Sequence, residues 1–293
     1  MTYSIVALDA RTGELGVAVQ SHYFAVGAAV PWACPGVGAV ATQATVKISH
    51  GPRALELLHG GFDAHAALDR LISGDQGAAT RQLAIVDAAG NAAVHTGGAC
   101  VPEAGYVARD GVCCQGNILA SDRVWPAMLD CFESATGSLQ HRLLAALDGG
   151  EAGGGDLRGR QSAAILVVPA AGERWDVTIS VGVDDHPEPL LELRRLLALH
   201  DAYQLATEAH GRLDAGDHGQ ATDLFQRACE LAPESHDLLF RAGVSLALMG
   251  DLDGGVQRVR RAIEMQPNWR KMLDRLPTAI APVAAQLIAR LNA

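Results

Sequence analysis

An apolar segment that begins at the second residue constrains the fold of this chain more than any other feature. Two runs rich in β-branched and aromatic residues, Tyr3–Leu8 and Leu15–Gln20, are separated by a turn that contains Thr12 and Gly13. This pattern predicts a β-hairpin, because glycine permits a tight reversal between two strands. A strand that starts at residue 2 places the start of the chain inside the fold, where many proteins have a frayed terminus.

The sequence up to about residue 185 predicts strands and helices in blocks of like elements. After the hairpin, two apolar strands are predicted over Ala25–Ala33 and Val37–Ala44, with a turn at Cys34-Pro35-Gly36. The later predicted elements are helices over Gly51–His59, Phe62–Ser73, Asp122–Glu133 and Leu139–Asp148, a loop over Gly149–Gly159, and strands over Arg81–Asp87, Asn91–Thr96, Tyr106–Ala108, Val112–Gln115, Arg160–Val168 and Trp175–Val183. Such blocks favour an α+β fold over strict alternation of strands and helices around a parallel sheet.

A repeat appears in the last third of the sequence. Gly216-Asp217 recurs as Gly250-Asp251, and Pro233 recurs as Pro267, so that each pair is 34 residues apart. This spacing is the period of tetratricopeptide repeats, in which each unit is a pair of antiparallel helices. The predicted packing positions are Ala221, Phe225, Ala228, Val259 and Ala262.

The repeat departs from the tetratricopeptide pattern at some positions, and a generic helical appendage is the alternative. Glu208 and Arg212 occupy positions that the first unit would fill with apolar residues. Two repeats are also fewer than the three that usually suffice for a stable array. We therefore expect the helices over Leu190–Ala202 and Ala279–Leu291 to cap the pair.

Charge and composition exclude several classes of partner and site. The net charge of −10 argues against nucleic acid and anionic membranes as partners. The six cysteines show no Cys-x-x-Cys spacing, and His186 beside Asp185 is interpreted as a helix-start residue, so we expect neither a metal nor a cofactor. The absence of a signal segment and of an 18-residue apolar run predicts a soluble, cytoplasmic protein with reduced thiols.

Several segments, in their order along the chain, resemble a bacterial family of unknown function, DUF1028. The resemblance rests on the apolar segments within residues 2–44, on Gly51-Pro52-Arg53, on the segment from Gln115 to Ala120, on the segment from Gly154 to Ala164, and on Asp184-Asp185-His186-Pro187. It covers roughly residues 1–200 and implies the fold of N-terminal-nucleophile hydrolases, a four-layer α-β-β-α sandwich. We therefore expect that sandwich over residues 1–185, a linker helix over residues 186–201 and an all-α tetratricopeptide-like domain over residues 202–293.

The resemblance also implies a nucleophile near the start of the chain. In such hydrolases the hydroxyl or thiol of the first residue attacks a carbonyl, and its own α-amino group, which titrates near neutrality, acts as the base. Thr2 meets this requirement once Met1 is removed, whereas alignment on Gln20-Ser21-His22 selects Ser4, which becomes terminal only if residues 1–3 are cleaved off. The alternative for both residues is an ordinary position in a strand.

The choice of base is restricted by a shortage of lysine. Lys47 and Lys271 are the only lysines, and Lys47 follows a strand on the wrong side of the expected site. Arginine stays protonated and cannot replace lysine as a base. His22 is therefore a second candidate base beside the α-amine, although a half-exposed histidine at a strand end commonly has no such role.

Five further polar residues are predicted to bind substrate. These residues are Gln43, Asn117, Asp156, Arg158 and Ser162. Asn117 is expected between a strand and a helix N-terminus, where backbone N–H groups bind anions, with a simple N-cap as the alternative. Asp156 and Arg158 are expected to hold a substrate carboxylate or to order the floor of the site, with a surface ion pair as the alternative.

These features predict an amidohydrolase of the N-terminal-nucleophile type that acts on a small amide or ester without a cofactor. The competing hypothesis is a non-catalytic binding or scaffold protein that keeps the fold and recruits a protein partner through its helical repeats. Missing lysine favours the second hypothesis, and a hydroxyl residue at the start of the first strand favours the first. We also expect a homodimer.

Overall fold

The computed structural model of the chain describes residues 2–276 and 281–293. Its strands are β1 (Thr2–Leu8), β2 (Leu15–Ser21), β3 (Pro31–Cys34), β4 (Gly38–Ala44), β5 (Arg81–Asp87), β6 (Ala92–Thr96), β7 (Gly105–Arg109), β8 (Val112–Asn117), β9 (Ser162–Val168) and β10 (Ile179–Val183). Its helices are α1 (His50–His59), α2 (Ala64–Ser73), α3 (Val124–Ser134), α4 (Leu139–Ala152), α5 (Pro189–Asp214), α6 (His218–Leu231), α7 (His236–Leu248), α8 (Leu252–Met265), α9 (Trp269–Leu273) and α10 (Ala281–Asn292). The chain divides into two compact units, Met1–Leu197 and Ala198–Ala293, with the boundary inside α5.

The first unit contains two antiparallel sheets. One sheet has six strands in the order β10-β9-β2-β1-β8-β7, and the other has four in the order β3-β4-β5-β6. The predicted N-terminal hairpin is confirmed: Leu8 pairs with Leu15, and Gly13 adopts a φ of 77° in the turn. Because β1 lies inside the larger sheet, both of its edges are paired, and the start of the chain is held within the fold.

Three apolar clusters account for the packing of this unit. Side chains of the two sheets meet in one cluster that includes Val6, Val17 and Val86. The opposite face of the larger sheet packs on α3 and α4, and the opposite face of the smaller sheet packs on α1 and α2. Alternation along each strand therefore assigns every residue to either an inner or an outer face.

The two ends of the paired sheets differ in their connections. At one end, tight turns join consecutive strands, and Gly111 N–H donates to Gly90 O between turns of different sheets. At the other end, which we call the loop end, β1 begins, β2, β4 and β8 end, and all connections to helices start or finish. Longer loops on a rigid scaffold are where binding and catalytic residues concentrate, so the loop end is where a site is expected.

Several predicted elements have different bounds in the structure. The predicted strand over Ala25–Ala33 is wrong in its first part, because Ala25 has a φ of 52° and a single 3₁₀ turn, Val26–Ala28, follows it. The predicted loop Gly149–Gly159 is wrong in its first part, because α4 continues to Ala152. A β-carbon at Gly149 would lie 2.5 Å from Ala127 O, so that glycine permits close packing of α4 on α3. The last strand is shorter than the predicted Trp175–Val183.

The second unit is a helical region. The predicted helix Leu190–Ala202 is longer than expected, because α5 runs without a break from Pro189 to Asp214. The two helices α6 and α8 begin 34 residues apart, at His218 and Leu252, after equivalent Gly-Asp turns. The five predicted packing residues of the repeat are all buried. Residues 279 and 280 of the predicted last helix lie outside the described residues.

No helix within the described ranges is both long and apolar enough to cross a membrane.

Candidate functional site

Neutral polar side chains occupy the inner faces of both sheets at the loop end. They continue the inward-facing positions that carry Val6, Val19 and Val86 further along the strands. These residues, which we call the polar centre, are Thr2, Ser4, Ser21, Gln43, Gln82, Gln115 and Asn117, and all of them are buried. Buried polar groups require hydrogen-bond partners, and most of these side chains find them in one another.

Ser4 is held between two glutamine side chains. Its Oγ donates to Gln43 Oε1 at 2.7 Å and accepts from Gln115 Nε2 at 3.3 Å. Gln115 Nε2 also donates to Ala41 O at 3.1 Å, across the gap between the two sheets. Ser4 is 0% exposed, so its hydroxyl is both enclosed and hydrogen-bonded in this structure.

Gln82 is the hub of the polar centre. Its Oε1 accepts from Gln43 Nε2 at 2.7 Å and from Asn117 Nδ2 at 3.0 Å. Its Nε2 lies 2.8 Å from Gly116 O and 3.1 Å from Gly105 O in the larger sheet. One side chain from the smaller sheet therefore fixes the ends of β7 and β8 relative to β4.

Thr2 lies where β1 opens at the loop end. Its Oγ1 shares a hydrogen bond of 3.0 Å with Ser21 Oγ, and its carbonyl oxygen accepts from Gln43 Nε2 at 3.2 Å. Thr2 is 8% exposed. Its backbone is thus fixed from the smaller sheet, while its side chain faces the end of β2.

Asn117 is not at a helix N-terminus, and that prediction is wrong. Asn117 is the last residue of β8 and pairs with Thr2, whereas the next helix begins at Val124. Strand β8 extends two residues beyond its predicted end because β1 supplies hydrogen-bond partners up to Thr2. Asn117 therefore contributes its side-chain amide to the polar centre, and it is not the N-cap of α3.

His22, Asp156 and Arg158 form a second group beside the polar centre. Asp156 Oδ2 accepts from the His22 backbone N–H at 2.9 Å, and Asp156 Oδ1 accepts from the Arg158 backbone N–H at 2.9 Å. The Arg158 guanidinium lies 3.3 Å from the same carboxylate, whose side chain is fully buried. Asp156 thus ties the loop before β9 to the end of β2, while the His22 side chain is exposed.

Ser162 is buried at the start of β9 and holds the segment that follows β2. Its Oγ donates to Tyr23 O and accepts from Val26 N–H at 3.2 Å. Ser162 also pairs with Ser21, whose hydroxyl contacts Thr2. The predicted site residues therefore come together at one end. Thr2, Ser4, Gln43 and Asn117 form one network, Ser162 lies at the start of β9, and His22, Asp156 and Arg158 lie in the loops around them.

Backbone strain is concentrated at the same end. Among the described residues, the non-glycine residues with positive φ are Ala25, Ala44 and Ile118, at 52°, 68° and 54°. Ile118 directly follows β8, Ala44 ends β4, and Ala25 follows β2. Such conformations are costly, above all for a β-branched residue, and they cluster at functional sites.

A charged cluster lies next to Gln82, where β4 ends and β5 begins. Asp75 accepts from Arg81 Nε at 2.9 Å and lies 3.2 Å from Lys47 Nζ and 3.5 Å from His50 Nε2. The hydrogen bond from Arg81 is the main reason that the pKa of Asp75 is well below its usual range. Burial, followed by the charge of Lys47, lowers the pKa of His50. Lys47 is thus engaged by Asp75.

Tyr3 and Gln20 lie beneath the polar centre, on the helix-facing side of the larger sheet. Tyr3 Oη donates to Glu151 Oε2 at 3.0 Å, and burial with this carboxylate raises the pKa of Tyr3 well above its ordinary value. Arg160 Nε in turn donates to Glu151 Oε1 at 2.7 Å. The neighbouring Gln20 is fully buried, and neither end of its amide has a partner within the described residues.

Sequence reasoning missed Gln82, Gln115 and Ser21 as members of the site. A signal for the two glutamines was present, because Gln82 alternates with the apolar Ala84 and Val86, and Gln115 alternates with the apolar Cys113. The partners of these side chains, by contrast, depend on which strands become neighbours. Within the described ranges there is no group of three or more His, Cys, Asp or Glu residues that would suit a metal ion.

Comparisons with known proteins identify relatives of this chain. The sequence matches the family described as "Family of unknown function (DUF1028)" over residues 2–193. The structure is similar to the crystal structure of a DUF1028 protein from Silicibacter pomeroyi, with 33% sequence identity and a TM-score of 0.62 over 70% of this chain and 86% of that chain. Anbu (ancestral beta-subunit) from Yersinia bercovieri matches with 12% identity and a TM-score of 0.32 over 67% of this chain and 93% of that chain, which is too distant to carry an argument. No curated protein matches the chain.

Proposed function

The chain belongs to the DUF1028 family, and on this premise we propose that it is an amidohydrolase of the N-terminal-nucleophile type that acts on a small amide or ester. The observation that carries the proposal is the position of two hydroxyl groups, on Thr2 and Ser4, at the start of a central strand. Both lie in a polar centre at the loop end, beside strained backbone. The proposed fold is the α-β-β-α sandwich of such hydrolases, supported by two sheets that pack on each other and on helices outside.

Several observations support Thr2 over Ser4 as the nucleophile. Thr2 needs only the removal of Met1 to acquire a free α-amino group, and its side chain is at the boundary of the buried core. Ser4 would require cleavage within β1, which would remove the pairing of Thr2 with Asn117. The Ser4 hydroxyl also has two amide partners already. We assign Ser4 to positioning Gln43, whose Nε2 holds the Thr2 carbonyl.

The proposed reaction has two steps. The α-amine of Thr2 accepts the proton of Thr2 Oγ1 as this oxygen attacks the carbonyl carbon, and the resulting ammonium returns the proton to the leaving nitrogen as the carbon–nitrogen bond breaks. Water then attacks the ester formed on Thr2, giving its proton to the amine, and the second product leaves as Thr2 Oγ1 recovers a proton. The α-amine suits this role because its ordinary pKa is about 7.7–8.0.

The experiment combines intact mass and hydrolysis on the full chain. We expect a mass that corresponds to loss of Met1, and hydrolysis of a member of a panel of small amides and esters. Thr2→Ala and an uncleavable N-terminal extension should each abolish turnover, because they remove the nucleophile or the free amine. The matched control is Ser245→Ala, which removes another buried hydroxyl, in α7 of the second unit, and should leave turnover unchanged.

Wild-type rates in both the extended protein and Thr2→Ala would rule out this nucleophile. If Ser4→Ala alone abolishes turnover and the mature chain starts at Ser4, the nucleophile is Ser4 and the role of Thr2 is wrong. Circular dichroism of each variant shows whether an inactive protein is still folded, so that loss of turnover is not confused with unfolding. Retained Met1 together with inactivity on the whole panel would contradict the hydrolase proposal.

The second candidate is a non-catalytic scaffold that recruits a partner through tetratricopeptide-like repeats. Two features of the second unit support it: α6 and α8 start 34 residues apart, and each follows an aspartate whose side chain accepts a hydrogen bond from the helix. The enclosed Ser4 hydroxyl and the engagement of Lys47 by Asp75 also favour it. A pull-down with residues 198–293 would test it, and a partner that binds Thr2→Ala as well as wild type would support a role that does not require hydrolysis.

A further inference from the structure

No side chain of the polar centre carries a formal charge. Its side chains are hydroxyl groups and carboxamides, which donate and accept hydrogen bonds without stabilising a net charge on a ligand. A carboxylate or phosphate ligand would require basic side chains that face it. The polar centre therefore offers no side-chain charge to a charged ligand.

Two groups of charged side chains at this end are engaged with one another. Asp75 binds Lys47 and Arg81, and Asp156 binds Arg158. The net charge of the whole chain is −10, which also disfavours the approach of anions. This site is therefore poorly suited to selecting a ligand by the charge of that ligand.

Exposed apolar side chains surround the polar centre on both sides of β1. On the side of β2 and β9, Tyr23 and Phe24 follow the end of β2, and Leu157 precedes β9. On the side of β8, the exposed residue is Val101, whose carbonyl oxygen accepts from Ile118 N–H at 3.3 Å. Because β1 lies between β2 and β8 in the sheet, Thr2, at the start of β1, lies between these two apolar groups.

The loops that carry this rim are anchored to the polar centre. Tyr23 O accepts from Ser162 Oγ, and Asp156, the neighbour of Leu157, binds the backbone of His22. Ile118, which binds the Val101 carbonyl, directly follows Asn117. The apolar side chains are thus held in place, and exposed apolar groups around a polar centre are typical of a binding site.

We infer that the loop end selects a neutral amide with apolar groups on both sides of its amide bond, a substrate class that rests on the proposed function. Thr2, the most exposed member of the polar centre at 8%, contacts the amide, Tyr23, Phe24 and Leu157 contact one apolar flank, and Val101 contacts the other. When the ligand binds, its apolar group on each flank leaves water, which increases the affinity. A charged group at the same position of the ligand does not provide this gain.

The test is an NMR titration of the full chain with three capped dipeptides that differ only in their side chains. N-acetyl-Leu-Leu-amide should bind at least tenfold more tightly than N-acetyl-Asp-Asp-amide and N-acetyl-Lys-Lys-amide. Phe24→Lys should lower the affinity for the leucine peptide at least tenfold. Trp175→Lys is the matched control, because Trp175 is 72% exposed and Phe24 64%, but Trp175 lies in the β9–β10 connection at the opposite end.

Equal affinities for the three peptides, or tighter binding of a charged one, would overturn the inference. An equal effect of Phe24→Lys and Trp175→Lys would do so as well. If the wild-type chain forms a dimer that Phe24→Lys dissociates, and no peptide binds, the rim is an interface between two copies and the inference is wrong. Turnover is read from the same spectra: selective binding of the leucine peptide without hydrolysis in any sample would contradict the proposed function while supporting this selectivity.

Discussion

At the scale of single residues, two buried glutamines of the same unit differ in how their amides are satisfied. Gln82 makes hydrogen bonds to Gln43, Asn117 and Gly116, among others. Gln20 is equally buried, and its amide has no partner within the described residues. A satisfied buried amide stabilises the fold, whereas an unsatisfied one costs about 1–3 kcal/mol.

We predict opposite effects of the same substitution at these two positions. Gln82→Met should lower the free energy of unfolding by about 3 kcal/mol, because it leaves several buried groups without partners. Gln20→Met, which keeps the volume, should raise the free energy of unfolding by about 1 kcal/mol, because it removes an unsatisfied amide. Urea unfolding of the three proteins at pH 7 measures both values. A destabilised Gln20→Met would mean that a partner such as a buried water satisfies Gln20 in solution.

The ion pairs of Asp75 predict a dependence of stability on pH. Asp75→Asn should lower the free energy of unfolding at pH 7 by about 3 kcal/mol, because Lys47 and Arg81 lose a buried partner. The folded-state pKa of Asp75 is depressed, so its contribution is complete above the unfolded pKa of about 3.9 and is lost as the pH falls toward the folded value. The difference from wild type should therefore shrink below about pH 4.

Urea unfolding between pH 2.5 and 7 checks this window. The matched control is Asp69→Asn, since Asp69 is an exposed residue of α2, and it should change stability by less than about 0.5 kcal/mol. A difference for Asp75→Asn that stays constant as the pH falls would contradict the assigned pKa direction.

At the scale of elements, the starts of α6 and α8 are built in the same way. Gly216 and Gly250 both have positive φ, and each precedes an aspartate. The Asp217 side chain accepts from Gln220 N–H, and the Asp251 side chain accepts from Gly254 N–H. Each aspartate thus satisfies a backbone donor that the first helical turn leaves without a partner.

We predict that Asp217→Ala and Asp251→Ala each lower the free energy of unfolding of the second unit by about 1 kcal/mol. Asp223→Ala is the control, because Asp223 is an exposed residue inside α6 and caps no helix. Thermal unfolding followed by circular dichroism measures the three effects. If the Asp223 substitution costs as much as the cap substitutions, general loss of negative charge explains the change, and the caps do not.

At the scale of the whole molecule, the apolar clusters of the two units are distinct. The cluster against α3 and α4 includes Leu190, Leu193 and Leu197 from the first turns of α5. The next cluster begins further along the same helix, with Leu199 and Ala202. Each unit therefore has its own core, which is the usual condition for independent folding.

We predict that residues 1–201 fold cooperatively without the second unit. Residues 1–188 should be less stable than residues 1–201 by roughly 5 kcal/mol, because they lack three buried leucines at about 1.5–3 kcal/mol each. Urea unfolding followed by tryptophan fluorescence compares the two truncated chains. Loss of a cooperative transition in residues 1–201 would mean that the first unit requires the second, and equal stability of both truncations would mean that α5 contributes nothing to the first core.

Some strands and turns could be predicted from the sequence alone, because they depend on residues that are close in the chain. The strand Arg81–Asp87 has the predicted bounds, and the N-terminal hairpin forms around Gly13 as expected. The family was also recognisable from ordered segments of the sequence. Strand alternation and turn glycines act between residues close in the chain, so their consequences can be derived without the tertiary structure.

The site was determined only in part by the sequence. Thr2 and Ser4 were candidates from the family resemblance, Gln43 was a candidate from its position near a strand end, and the three do come together. Asn117 was assigned to a helix N-terminus because nothing local shows that β1 extends β8 by two residues. Candidate residues can thus be named from the sequence and its family resemblance, but the surroundings of these residues cannot.

Tertiary structure alone decided which polar groups meet. Ser4 and Gln115 are 111 residues apart in the chain, and Ser4 and Gln43 are 39 apart. Their hydrogen bonds exist because β1 lies between β2 and β8 and faces β4 across the core. Strand order and the packing of one sheet on another result from burying the apolar faces of the whole unit, so a polar side chain acquires its partners only when that packing is complete.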